Sequence, residues 1–73
     1  MLIKGNVIQM LKNKLRYYDI EAKKEKKEIP PKLYKVRLAD PDEYVLEGMD
    51  IKEGKQIRVS RKAMLFCNQW RIL

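Results

Sequence analysis

The chain has 73 residues, 17 Lys/Arg against 10 Asp/Glu, no histidine and a single cysteine. A length like this makes one domain with a small core. One cysteine excludes an internal disulfide, and with no histidine it excludes a zinc site. The net charge of +7 is unevenly placed: residues 1–38 carry +7, residues 39–53 carry −5 and residues 54–73 carry +5.

At the start, Met1–Lys4 is short and apolar, a first strand or the frayed beginning of a helix. Asn6 is a favoured helix N-cap, and Gln9 stands three residues later, where a capping-box partner belongs. From there Val7, Ile8, Leu11, Leu15 and Tyr18 follow helical spacing, with Met10 and Tyr17 at the margin. The spacing predicts an amphipathic helix over about 6–28, anchored over 7–18 and weakly held through the lysine run. Ile29 precedes Pro30 and Pro31 and is pushed out of helical geometry, so the helix ends there.

Past the prolines the period becomes two. In "KLYKVRL", Tyr34, Val36 and Leu38 share one face and Lys35 and Arg37 the other, a half-buried strand. "ADPDE" predicts a turn, with Asp40 and Pro41 supplying its chemistry. "YVLEGMDI" predicts a second strand, weakened by Gly48, and "KEGK" a turn at Gly54. "QIRVS" predicts a strand with Ile57 and Val59 inward. "RKAMLFCNQWRIL" fits either a strand turning at Asn68 and Gln69 into "WRIL" or a short helix capped by Ser60, with Phe, Trp and Ile favouring strands.

The predicted fold is therefore α+β, one domain over 1–73. One N-terminal amphipathic helix packs on a small antiparallel sheet or partly closed barrel of four to five short strands, over about 33–73. Sm-like and OB-type barrels share that layout, but no motif of either family occurs in the residues.

Chemistry is sparse. No histidine, and no serine or cysteine beside a base, offers general-base or nucleophilic catalysis, so no enzyme activity and no cofactor are expected. The acidic block Asp40, Asp42, Glu43, Glu47, Asp50 and Glu53 begins like a calcium loop but has Val45 where that loop needs glycine, so no metal is expected. Cys67 lies in an apolar run and reads as a packing thiol. No apolar run reaches the roughly 18 to 20 residues of a membrane span, and no signal peptide is evident, so a soluble, cytoplasmic protein is expected.

The cations carry the functional expectation. Lys35, Arg37, Arg58, Arg61 and Lys62 are expected to share one sheet face with no acid among them, with Arg71 nearby and Tyr34 or Trp70 as a stacking surface. Lys23 and Lys24 of the lysine run add weaker attraction, since Glu21, Glu25 and Glu28 interrupt it. The function expected is a small nucleic-acid-binding accessory or regulatory module, contacting phosphates of DNA or RNA. The alternative is a protein-interaction module, an inhibitor or assembly factor, using the amphipathic helix or the acidic 40–53 block. A weaker third reading lays the Met1–Tyr18 helix on an anionic membrane. A chain this short without disulfide or metal is also expected to gain burial by forming a homo-oligomer.

Overall fold

The computed structural model describes residues 2–50 and 54–73. The chain forms β1 (Val7–Met10), β2 (Arg16–Asp19), β3 (Lys24–Lys27), β4 (Leu33–Ala39), β5 (Glu43–Gly48), β6 (Gln56–Ser60), α1 (Arg61–Phe66) and β7 (Trp70–Ile72). All strand pairs are antiparallel, in one sheet of order β3-β2-β6-β5-β4-β1-β7. Seven strands spaced about 4.8 Å apart would span roughly 29 Å if flat. The molecule measures 25 × 24 × 23 Å, so the sheet is strongly bent around its core.

The expected N-terminal amphipathic helix does not exist, and the sheet has seven strands where four to five were expected. Residues 6–28 hold three strands and their turns. Asn6 caps no helix: it closes a tight turn in which its side chain accepts from the Ile3 amide at 2.8 Å and Gly5 sits at φ +95°. Gln9 reaches forward to the Met10 carbonyl. The buried residues alternate: Ile8 and Met10 in β1, Tyr17 and Asp19 in β2. Leu11 and Leu15, which completed the helical stripe, are only half-buried in the connection. β-branched and aromatic residues at 7, 8, 17 and 18 suit strands, and long-range pairing to β4, β7 and β6 overrides the local 3.6-residue spacing.

The connection from β1 to β2 turns on Asn13, which is buried. Its Nδ2 donates to the carbonyls of Leu11 (2.8 Å) and Ile29 (2.9 Å), and its Oδ1 accepts from the amides of Leu15 (2.9 Å) and Ile29 (3.1 Å). The lysine run is strand β3, bounded by Lys23 and Glu28 in left-handed geometry at φ 55° and 63°. Each such non-glycine residue costs roughly 1–2 kcal/mol, which the surrounding pairing must offset.

Beyond the prolines the expected strands form. Tyr34 and Val36, Tyr44 and Leu46, and Ile57 and Val59 point inward, packed with Ile8, Met10, Leu2, Ile29 and Met64. Leu38 does not join them. A register shift between Val36 and Leu38 makes Arg37 an extra residue, and the bulge turns Leu38 outward, 48% exposed. The Asp40 amide donates to the Glu43 carbonyl, closing the expected turn. β5 ends at Gly48, whose amide donates to the Lys55 carbonyl. The expected turn around Gly54 lies partly outside the described residues.

For the C-terminal segment the short-helix alternative is realised over the apolar run, against the strand that Phe, Trp and Ile favoured, and only Trp70–Ile72 is a strand. Ser60 caps α1, its side chain accepting from the Ala63 amide, and α1 inserts Met64 into the core. The chain then returns as β7 beside β1. No helix among the described residues is long and apolar enough to cross a membrane. With no helix over the described residues 2–18, the interfacial-helix and helix-in-groove readings lose their element.

Candidate nucleic-acid interface

Antiparallel register decides which charges meet. Lys35 in β4 stands opposite Glu47 in β5, and Glu47 stands opposite Gln56 in β6. Arg37 Nε lies 3.7 Å from Glu47 Oε2. Arg58 is forked on Glu43, with Nε at 3.0 and 3.1 Å from the two oxygens and Nη2 at 2.9 Å from Oε1. The carboxylate holds the Arg58 guanidinium firmly protonated. The structure thus brings Lys35, Arg37 and Arg58 onto one face, as expected, but interleaves acids among them.

The other expected cations are scattered. Arg61 donates from Nη1 to the Asp40 carbonyl at 2.9 Å and lies over the Tyr44 ring, 5.3 Å from its centroid. Lys62 is exposed at the start of α1. Arg71 is exposed on the edge strand β7, opposite Gln9. Lys23 lies in the β2–β3 turn and Lys24 begins β3, both exposed, on a defined hairpin and not on a helix end.

Of the five described acids of the block, three are spent internally. Glu43 and Glu47 hold Arg58 and Arg37, and Asp50 pairs with Lys32 at 3.2 Å. The Lys32 ammonium draws the Asp50 carboxyl below the usual carboxylate range. Among the described residues no group of three or more His, Cys, Asp or Glu side chains could hold a metal ion.

The expected stacking aromatics are occupied. Tyr34 is 1% exposed, and burial pushes its phenol well above its ordinary pKa, while its hydroxyl donates to the Pro30 carbonyl. The Trp70 indole N–H donates to the Met64 carbonyl. On the strands, Tyr18 faces outward, 37% exposed, with the Arg58 guanidinium 5.7 Å from its ring centroid, while Phe66 is exposed on α1.

The β2–β3 hairpin is the cationic surface that sequence spacing did not isolate. Arg16 stands directly opposite Lys27, and Tyr18 opposite Glu25, so these four share the outer face. Arg16, Lys24 and Lys27 make no ion pair among the described residues. On the inner face, Lys26 Nζ bonds the buried Asp19 at 2.9 Å, and Asp19 also accepts from the Ala22 amide at 3.0 Å. Hydrogen bonds from Ala22 and then Lys26 draw the Asp19 carboxyl below its ordinary value. Almost no period-two signal marks this surface, since "KEKK" is wholly charged and "RYYD" buries Asp19 while leaving Tyr18 outward. Four residues are too few for it to outweigh the helical spacing around them.

No family model, curated protein or solved structure matches the chain.

Proposed function

We propose that the chain is a small nucleic-acid-binding module that holds phosphates on the outer face of the β2–β3 hairpin. The observation that carries this reading is the direct cross-strand pairing of Arg16 with Lys27. Like charges directly opposite each other destabilise a sheet. A bound anion turns that repulsion into attraction, and two cations on paired strands hold it in a defined place. Lys23 in the hairpin's turn, and Lys12 and Lys14 in the connection leading into β2, add exposed positive charge nearby, while Lys24 stands opposite Asp19 on the other face. Lys35, Arg37 and Arg58 contribute less than their position on one face suggests, since Glu43 and Glu47 already neutralise part of their charge.

Binding by this surface is electrostatic at root and depends on salt through counterion release. The test is the salt dependence of binding to generic DNA and RNA, compared with a variant carrying Arg16→Ala and Lys27→Ala. Loss of binding or of slope in that variant supports the reading, and an unchanged slope contradicts it.

A protein-interaction reading keeps one specific support. Leu65 and Phe66 on α1 are 63% and 88% exposed, an unusual presentation for two large apolar side chains on a single helical turn.

A further inference from the structure

We infer that the nucleic acid is single-stranded, and that it lies in the cleft between β2 and β6 with one base stacked on Tyr18. This inference rests on the nucleic-acid reading above and specifies its ligand.

The cleft follows from strand pairing. β2 pairs with β6 only at Tyr18↔Arg58 and Asp19↔Ile57. Continued register would set Tyr17 against Val59 and Arg16 against Ser60, and neither pair forms. The strands splay there, leaving a cavity of about 380 Å³ lined by Arg16, Tyr18 and Arg58 and also by the acids Glu25, Asp42 and Glu43. Glu43 is paired with Arg58, so the cationic end of the cavity is at Arg16. A second cavity of about 450 Å³ lies on the hairpin, lined by Arg16, Glu25, Lys26 and Lys27. Arg16 and Glu25 line both, so the two form one open path from the hairpin toward the start of α1.

The path combines what a single strand needs. Sequence-tolerant single-strand sites join cations along the backbone to an aromatic ring under a base. Arg16 and Lys27 supply the cations. Tyr18 lies two residues from Arg16 on the same face, about 6.6 Å along the strand, within one nucleotide's span. Its ring is held in place: Glu43 fixes Arg58 by a two-pronged contact, and Arg58 covers the ring. A prearranged ring loses little entropy on stacking. A duplex keeps its bases paired inside and presents none of them to Tyr18. Glu25, opposite Tyr18, repels phosphate and confines the backbone to the Arg16–Lys27 side.

The test is fluorescence anisotropy at ~50 mM salt, using a short labelled mixed-sequence oligonucleotide, alone and annealed to its complement. The single strand is expected to bind more tightly than the duplex. Tyr18→Ala is expected to weaken the single strand about 5- to 100-fold, the worth of one stacked base, and to leave duplex binding unchanged. Tyr18→Phe keeps the ring and should retain single-strand binding, which covers the case in which the alanine variant folds poorly. Glu25→Gln should tighten binding. Equal losses for single strand and duplex in a folded Tyr18→Ala variant, or no loss at all, would overturn the stacking cleft. So would a duplex that binds as tightly as the single strand, and in each of those cases the nucleic-acid reading stands. No binding of either ligand removes both.

Discussion

Asn13 serves Ile29 as a strand partner would, donating to its carbonyl at 2.9 Å and accepting from its amide at 3.1 Å. The two residues are sixteen positions apart, and both are buried. One side chain thereby satisfies the backbone at the point where the β1–β2 connection crosses the end of β3.

Asn13→Ala should be among the most damaging single substitutions. It leaves the amide and carbonyl of Ile29 without these partners in a buried place, and also removes those of Leu11 and Leu15. A cost of about 2–4 kcal/mol is expected. For a domain of this size that lowers Tm by roughly 10–25 °C. Asn13→Asp should also destabilise at neutral pH, since a carboxylate cannot donate to the two carbonyls. Thermal unfolding followed by circular dichroism reads both. A Tm within a few degrees of wild type would show that Asn13 is dispensable.

Gly54→Ala should destabilise for a different reason. A Cβ at Gly54 would run into the carbonyl oxygen of Gly48, which is backbone and cannot rotate away. The β5–β6 hairpin would have to shift, at a cost of about 1–3 kcal/mol. Urea unfolding measures it, and an unchanged midpoint would show that the hairpin end is not held this closely.

Acid should weaken the fold partly through Asp19. Its carboxyl lies below its ordinary value of 3.8 in the folded state, because the Ala22 amide and the Lys26 ammonium both bond the charged form. A depressed carboxyl contributes stability that is fully present above the unfolded value and is lost as pH falls through the folded one. The contribution should therefore fade below about pH 4. Asp19→Asn should lower Tm at neutral pH and flatten its fall between about pH 5 and about pH 2. Parallel curves for the two proteins would remove Asp19 from the account.

Much of the C-terminal half was legible in the sequence. β4, β5 and β6 alternate inward and outward long enough for period two to show, as Tyr44 and Leu46, and Ile57 and Val59, illustrate. The Ser60 cap of α1 was visible only as one alternative, because the Phe, Trp and Ile around it favoured a strand. The N-terminal half was not legible. β1 and β2 each bury only two side chains, while Leu11 and Leu15 in the connection happened to complete a helical stripe. The partners that make those residues strands lie far along the chain, and Asn13 acts through Ile29. The site divides the same way. That Lys35 and Arg37 share a face follows from alternation. That Glu47 stands between their strand and β6, and Glu43 beneath Arg58, follows only from register and from the bulge at Arg37.

The most direct test of the central claim is the salt titration of nucleic-acid binding for wild type and the Arg16→Ala, Lys27→Ala double variant. A surface neutralising about four phosphates predicts a log–log slope near −3.6 on duplex DNA and near −2.8 on single strands. Losing two contacts should flatten those slopes by about 1.8 and about 1.4. Arg37→Ala, whose partner Glu47 already offsets it, should flatten them less. A slope in the double variant equal to wild type would contradict a phosphate site on the β2–β3 hairpin, as would the absence of wild-type binding at ~50 mM salt, where electrostatic attraction is strong.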